Sequence, residues 1–215
     1  MLDILFVSDY VCPYCLVGKE ALKIALEELG LEAQIAWHPF ELTEEPAERV
    51  DTYHDEVRKA KYQILYKSCE ELGLDMKLPP RVIPRPYSRL AFEGWYFAKD
   101  HGKGDAYNDL MYRAYFIDEK DIGDLDVLTE LAESVGLEAE AFRNALKDGI
   151  YSKKEKDAVA YAKKVMQVKG LPSIYVNEKK LVLKEYTVEE MKRNLLEQDL
   201  TTEGVGAFCG IDGCR

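Results

Sequence analysis

Residues 8–30 read SDYVCPYCLVGKEALKIALEELG, with two cysteines, two residues apart, at the point where an apolar run gives way to helical spacing. The run before them, Ile4 to Val7, is short, continuous and apolar, the pattern of a strand buried on both faces. After them, Gly18, Leu22, Ala25, Leu26 and Leu29 recur at three- and four-residue steps, while Lys19, Lys23, Glu27 and Glu28 take the other side. That spacing predicts a helix from Tyr14, ended by Gly30. In LEAQIAWHPF, Leu31, Ala33, Ile35 and Trp37 then alternate with Glu32, Gln34, Ala36 and His38, as on a half-buried strand. The order so far is β-α-β.

From about Thr43 to Gly149 the spacing turns helical, with breaks at LPPRVIPRP, HGKGD, DIGD and SVGLE, so several helices and no strand are expected. A further helix, YSKKEKDAVAYAKKVMQ, opens on a capping box of Ser152 and Glu155. LPSIYV and KLVLKEY read as two short strands joined through NEK, and Thr187 with Glu190 caps a last helix. The chain thus divides into an α/β unit made of residues 1–42 and 150–200, an all-α insertion over 43–149, and a glycine-rich arm, 201–215, too poor in apolar residues to build a core.

With 215 residues and a formal net charge of -11, the chain can bury a sizeable core but offers no basic surface to nucleic acid or membrane. MLDILFVSDY lacks the positive region and cleavage site of a signal peptide, and no apolar run is long enough to span a bilayer. A cytoplasmic location is expected, where ordinary thiols stay reduced. Cys12, Cys15, Cys69, Cys209 and Cys214 are therefore not a secretory disulfide framework. Cys69, alone on a helix near Leu65 and Leu72, is expected to pack as a small core hydrophobe.

Cys12 falls at the predicted helix start, where unpaired N–H groups and about half a positive charge favour a thiolate over a thiol. Asp9, three residues upstream, opposes that ionisation and is also a candidate proton acceptor. Helical register puts Cys15 on the sheet-facing side, while Cys12 is expected to open toward solvent. One sulfur can attack a disulfide and the other resolve the mixed disulfide that forms. Pro13 suits the first helical position because it has no N–H to satisfy. Redox chemistry is favoured over a zinc site, which would need Cys209 and Cys214 as further ligands, and over an inert staple, since so short a ring restrains little chain. His38, at the end of the second strand, could donate a proton, but a solvated loop histidine is the favoured expectation.

CPYC after the first strand, with GLPSIYV opposite it, resembles the thioredoxin-like fold, and the helical insertion resembles that of the DsbA family. SDYVCPYCLVGK, WHPFEL, YRAYFIDEKDIGDLDVL, GLPSIYV and CGIDGC are similar to its FrnE-like cytoplasmic branch. The resemblance implies an α/β, thioredoxin-like fold (β-α-β, then α-β-β-α, with a mixed four-stranded sheet) interrupted by the helical block. It implies a protein thiol–disulfide oxidoreductase or isomerase in which Cys12 is the nucleophile, Cys15 the resolving thiol and Pro172 a cis-proline packed against them. On general grounds only about 5–6% of X–Pro bonds are cis, so that isomer rests on the resemblance. Leu171 would pair its backbone with an extended substrate, and Pro13 and Tyr14, between the thiols, join it as substrate contacts. The implied partners are proteins carrying cysteines or disulfides, with glutathione or a thioredoxin-type reductant; no cofactor or metal is assigned.

The second pair, Cys209 and Cys214 in CGIDGC, has glycines on both sides and an Asp-Gly step suited to a tight turn. It is assigned as an auxiliary redox pair that passes electrons to CPYC. Two other functions are weighed. One is a glutathione-dependent isomerase or transferase of the kappa or hydroxychromene type, in which a serine usually replaces the first cysteine. The other is a non-enzymatic, chaperone-like or zinc-bound binding module.

Overall fold

The structure, a computed structural model, describes residues 1–199; Cys209 and Cys214 lie outside them. Strand β1, Leu2–Ser8, is buried along its length except at Asp3. It pairs in parallel with β2, Ala33–Pro39, on one side and antiparallel with β3, Ser173–Val176, on the other. A two-residue β4, Lys179–Lys180, completes a mixed sheet of order β2-β1-β3-β4. Helix α1, Pro13–Leu29, joins the parallel pair, and Gly30 ends it with φ at 62°, a left-handed conformation that glycine adopts without steric cost.

The insertion carries α2 (Glu56–Gln63), α3 (Tyr66–Glu71), α4 (Arg89–Asp100), α5 (Gly104–Phe116), α6 (Leu125–Ser134) and α7 (Ala139–Lys147), and no strand occurs in it. Residues 43–55 and 72–88 carry no helix. Pro79, Pro80, Pro84 and Pro86 crowd the second stretch, each lacking an N–H and disfavouring helical geometry in the residue before it. Helix α8, Ser152–Lys164, packs on β2, and α9, Val188–Asp199, packs along α1. Tyr186, just before α9, touches the space beside Gly18, and Lys192 Nζ lies 2.8 Å from Glu28 Oε2. Thus α9 runs in the same direction as α1.

Ile4, Phe6 and Val176 belong to one large apolar cluster that also takes in Leu22 of α1, Phe92 of α4, Tyr112 of α5 and Phe142 of α7. Leu5 and Val7 face the other way, onto Ala162 and Val168. Tyr10 joins the two parts: its ring stacks on Phe92 at 4.4 Å and meets Tyr112 edge-on at 5.1 Å. The core is therefore continuous across the ends of the insertion.

Several local expectations change. Tyr151, not Ser152, caps α8, and no side chain accepts from its first turn. Glu155 turns inward and is wholly buried. Thr187 does behave as expected, its Oγ1 accepting from the Glu190 N–H at 3.2 Å. The strand predicted over KLVLKEY stops at Lys180; Leu181 N–H donates to Ile174 O at 2.8 Å, and the chain then leaves the sheet. Asn177 and Glu178 turn the hairpin with φ of 47° and 67°, the two positive values a tight turn between twisted strands requires. Lys19, expected on the polar face of α1, is buried, because α5 covers that face and supplies Asp109 Oδ1 at 2.7 Å to its ammonium.

Candidate active site

The two thiols sit where β1 delivers the chain to α1. Cys12 is the N-cap residue in extended geometry, its N–H donating to Asp9 O at 3.0 Å, and the Cys15 N–H donates to Cys12 O at 3.0 Å. Pro13 occupies the first helical position. Both cysteines are free thiols. Cys15 is 0% exposed, as its register predicts; Cys12 is only 5% exposed and does not open to solvent as expected.

The reason lies outside the local sequence. Phenol rings gather around the sulfurs: Tyr14 of the motif, Tyr62 of α2, Tyr112 of α5, and Tyr186 before α9 each lie close enough to be raised by negative charge on Cys12. Burial is the larger cause in every one of them, and it brings Tyr186 to about 12. Tyr14 leans toward α2, its hydroxyl donating to Lys61 O at 3.2 Å, and its ring centroid is 6.1 Å from that of Tyr186.

Burial also pushes the Cys15 thiol well above its ordinary value, and a hydrogen bond to the Cys12 sulfur together with the Cys12 charge raises it further. A hydrogen bond from the Asp9 backbone opposes these effects without overcoming them. Cys15 is therefore the sulfur that keeps its proton and points it at its neighbour. This asymmetry is the arrangement thiol–disulfide exchange needs: one sulfur for attack, one held in reserve.

Asp9 is wholly buried and braces this turn. Its Oδ1 accepts from the Val11 N–H at 3.2 Å and its Oδ2 from the Leu42 N–H at 2.7 Å. Burial raises the carboxyl, while the Leu42 bond, the Ser88 hydroxyl and the Arg85 guanidinium work to lower it. Arg85 is buried as well, its backbone N–H donating to Val50 O at 2.9 Å and its NH2 group to Thr43 Oγ1 at 2.8 Å. One carboxylate thus ties the CPYC turn to the segment after β2 and to the approach of α4.

The Leu171–Pro172 peptide before β3 is cis, Pro172 is buried, and Leu171 is partly exposed. Gly18 of α1 faces the proline ring, leaving no room for a side chain. Pro172 therefore packs on α1 one turn beyond Cys15, the helix that also carries Pro13 and Tyr14 behind the N-cap Cys12. His38 does not join it as a solvated group: it is buried in β2, with Nε2 2.9 Å from Ala158 O of α8. Packing of α8 on the sheet explains this, and the strand's own alternation gives no sign of it. Cys69 packs in the core with its thiol 3.6 Å from Met76 Sδ. Among the described residues no group of three or more His, Cys, Asp or Glu side chains could hold a metal ion.

Tyr62, Arg85 and Tyr186 escaped the sequence analysis as site residues, since none lies near the motif in the chain, and Tyr112 entered it only as the first residue of YRAYFIDEKDIGDLDVL, with no role given to it. The one available signal was composition: 14 tyrosines against 7 phenylalanines, an excess of aromatic rings that carry a polar tip.

The family model of the DSBA-like thioredoxin domain matches residues 3–195. The uncharacterized protein YwbO of Bacillus subtilis (strain 168) is 37% identical over 172 residues, 80% of this chain and 84% of that protein. The crystal structure of the probable DsbA oxidoreductase SCO1869 from Streptomyces coelicolor superposes with a TM-score of 0.79 at 23% identity, covering 100% of this chain and 99% of that one. The cytosolic disulfide reductase DsbM from Pseudomonas aeruginosa, solved with GSH, gives a TM-score of 0.65 at 17% identity over 92% of this chain and 98% of its own. A sheet of order β2-β1-β3-β4, a CPYC turn at the start of α1 and, decisively, a family-model match over almost all of its described length make this chain a member of the DsbA-like thioredoxin domain family.

Proposed function

We propose that this chain is a protein thiol–disulfide oxidoreductase, with isomerase capacity, working through Cys12 and Cys15. The observation that carries the proposal is the pairing of a free thiol at a helix N-terminus with a second, wholly buried thiol that retains its proton. In the reductive direction the Cys12 thiolate attacks one sulfur of a substrate disulfide. A Cys12–substrate bond forms, the substrate S–S bond breaks, and the departing thiolate takes up a proton. Cys15 then gives up its proton and attacks Cys12 Sγ, releasing the second substrate thiolate. The substrate gains two electrons and the protein is left with a Cys12–Cys15 disulfide. The reverse sequence oxidises a substrate dithiol, and attack without resolution shuffles disulfides.

Pro172 packs against Gly18, one turn after Cys15, and Leu171 beside it, partly exposed, is the residue proposed to pair its main chain with an extended substrate, with Pro13 and Tyr14 as further contacts. Main-chain pairing is indifferent to most side chains, so the substrates are proteins of varied sequence. Glutathione or a thioredoxin-type reductant restores the dithiol; the glutathione-bound state of DsbM supports the first. Glutathione-dependent isomerases of the kappa and hydroxychromene type would be expected to carry a serine where Cys12 stands. Cytoplasmic location and the FrnE-like branch belong to the same proposal. Among the described residues no helix is long and apolar enough to cross a membrane.

Cys209 and Cys214 complete it as an electron donor to CPYC. Cys209 lies ten positions beyond Asp199, the last described residue.

Reduction of insulin disulfides and refolding of scrambled ribonuclease, measured for the wild type, Cys12→Ser, and Cys209→Ser with Cys214→Ser, test the assignment. Loss of both activities in Cys12→Ser is the expected result. Full activity in a protein lacking Cys12 and Cys15 would favour a binding module and end the redox proposal.

A further inference from the structure

Away from the thiols, four carboxyl groups lie along the seam between the insertion and the sheet-bearing segments: Asp9 after β1, Glu41 after β2, Glu155 on α8 and Glu93 on α4, each no more than 3% exposed. Asp9 is satisfied by backbone donors. Glu155 is not: neither of its buried oxygens meets a donor, and Oε2 of Glu41 shares that condition. Yet the two carboxyl groups lie within hydrogen-bonding reach of one another. Ionised carboxylates only accept. Their contact is a bond only when one of them carries a proton.

Every neighbouring charge bears on where that proton sits. Burial is the largest influence on Glu155, the charges of Glu41 and Glu93 add to it, Arg89 opposes it, and the outcome is about 9. Burial also leads for Glu41, opposed by Arg89 and reinforced by Asp9 and Glu44, to about 7. Glu93 is raised by burial against Arg89, the Ser152 hydroxyl and Lys156. Arg89 is shared, since it is also ion-paired with Glu45. The Lys163 ammonium is engaged by the Glu41 backbone carbonyl at 2.7 Å and Glu44 Oε1 at 2.5 Å. On the sheet side, His38 is held against Ala158 O of α8.

We propose that Glu41 and Glu155 form a proton-held clasp in which one shared proton closes the seam between α8 and the segment after β2, and loss of that proton in mildly alkaline solution loosens it. The clasp is one residue from Leu42, whose N–H is held by Asp9, so it borders the brace of the CPYC turn. It does not depend on the redox proposal.

The sign follows from linkage. Both groups are raised above the ordinary value of 4.5, so between that value and the folded one the native state holds protons that the unfolded chain has released. Their contribution to stability is full below 4.5 and is lost as pH rises, through about 7 for Glu41 and about 9 for Glu155.

The test is thermal unfolding of the full chain from pH 5.5 to 8.5, for wild type and Glu155→Gln, whose amide can donate to Glu41 without titrating. The wild-type midpoint should fall steadily with pH, and the variant should lose at least about half of that slope. Equal slopes would overturn the clasp. Because the thiols are the same in both proteins, their titration cancels in the comparison. Should the variant fail to fold, wild-type calorimetry at pH 7.5 in two buffers of different ionisation enthalpy decides the matter. Release of about one proton on unfolding supports the clasp, and release of none overturns it.

Discussion

Gly18 lies so close beneath Pro172 that a β-carbon built on it would sit 3.0 Å from Cγ of the proline ring and 3.2 Å from Cδ1 of Tyr186. Gly18 stands one turn after Cys15, and the proline ring has few ways to yield. Gly18→Val is therefore expected to cost about 1–3 kcal/mol, the usual range for overfilling a packed site, and to lower insulin reduction by displacing Pro172. Urea denaturation checks the first effect. An unchanged midpoint would mean that the contact is softer than its geometry.

The complete burial of Cys15, which holds its thiol well above the ordinary value, leads to a trapping experiment. Cys15→Ser should accumulate a covalent adduct with a disulfide-bearing protein, visible as a heavier band without reductant, whereas Cys12→Ser should form none. Turnover should drop by about 10³-fold or more in each, as when a nucleophile is removed elsewhere. Adducts on Cys15 in the Cys12→Ser protein would reverse the assigned roles.

Because burial holds Cys15 well above its ordinary value, the fraction of it able to attack grows with pH throughout the neutral range. In single-turnover experiments the resolving step should speed up about tenfold per pH unit as far as pH 9. A plateau below pH 8 would show that Cys15 ionises more readily than its surroundings imply.

Asp9→Ala removes the acceptor for two N–H groups, those of Val11 and Leu42. Each buried donor left without a partner costs about 1–3 kcal/mol, so a loss of roughly 2–6 kcal/mol is expected, with Asp9→Asn recovering part of it through its remaining carbonyl. Chemical denaturation of the three proteins measures this. A variant as stable as the wild type would remove Asp9 from its bracing role.

Much of the fold was legible in the chain. The apolar run through Ile4 to Val7, the three-and-four spacing after Cys15, the alternation in β2 and the left-handed Gly30 are short-range patterns, and each element formed where its own residues asked for it. The burial of Cys15 followed from the same register. Proline crowding between residues 79 and 86 likewise announced a break in the helices, although it did not reveal how short α2 and α3 would be.

What the residues determined by themselves was the order of the elements and the meeting of a cysteine pair with a helix start, because backbone geometry and side-chain period act over a few positions. The tertiary structure alone decided that Cys12 is covered, that Lys19 and His38 are buried, and that Glu155 turns inward to Glu41 instead of capping its helix. In each case the deciding neighbour comes from a distant segment: Tyr62 or Tyr112 for Cys12, Asp109 for Lys19, Ala158 for His38. Desolvation depends on what packs against a group, and local pattern carries no record of that.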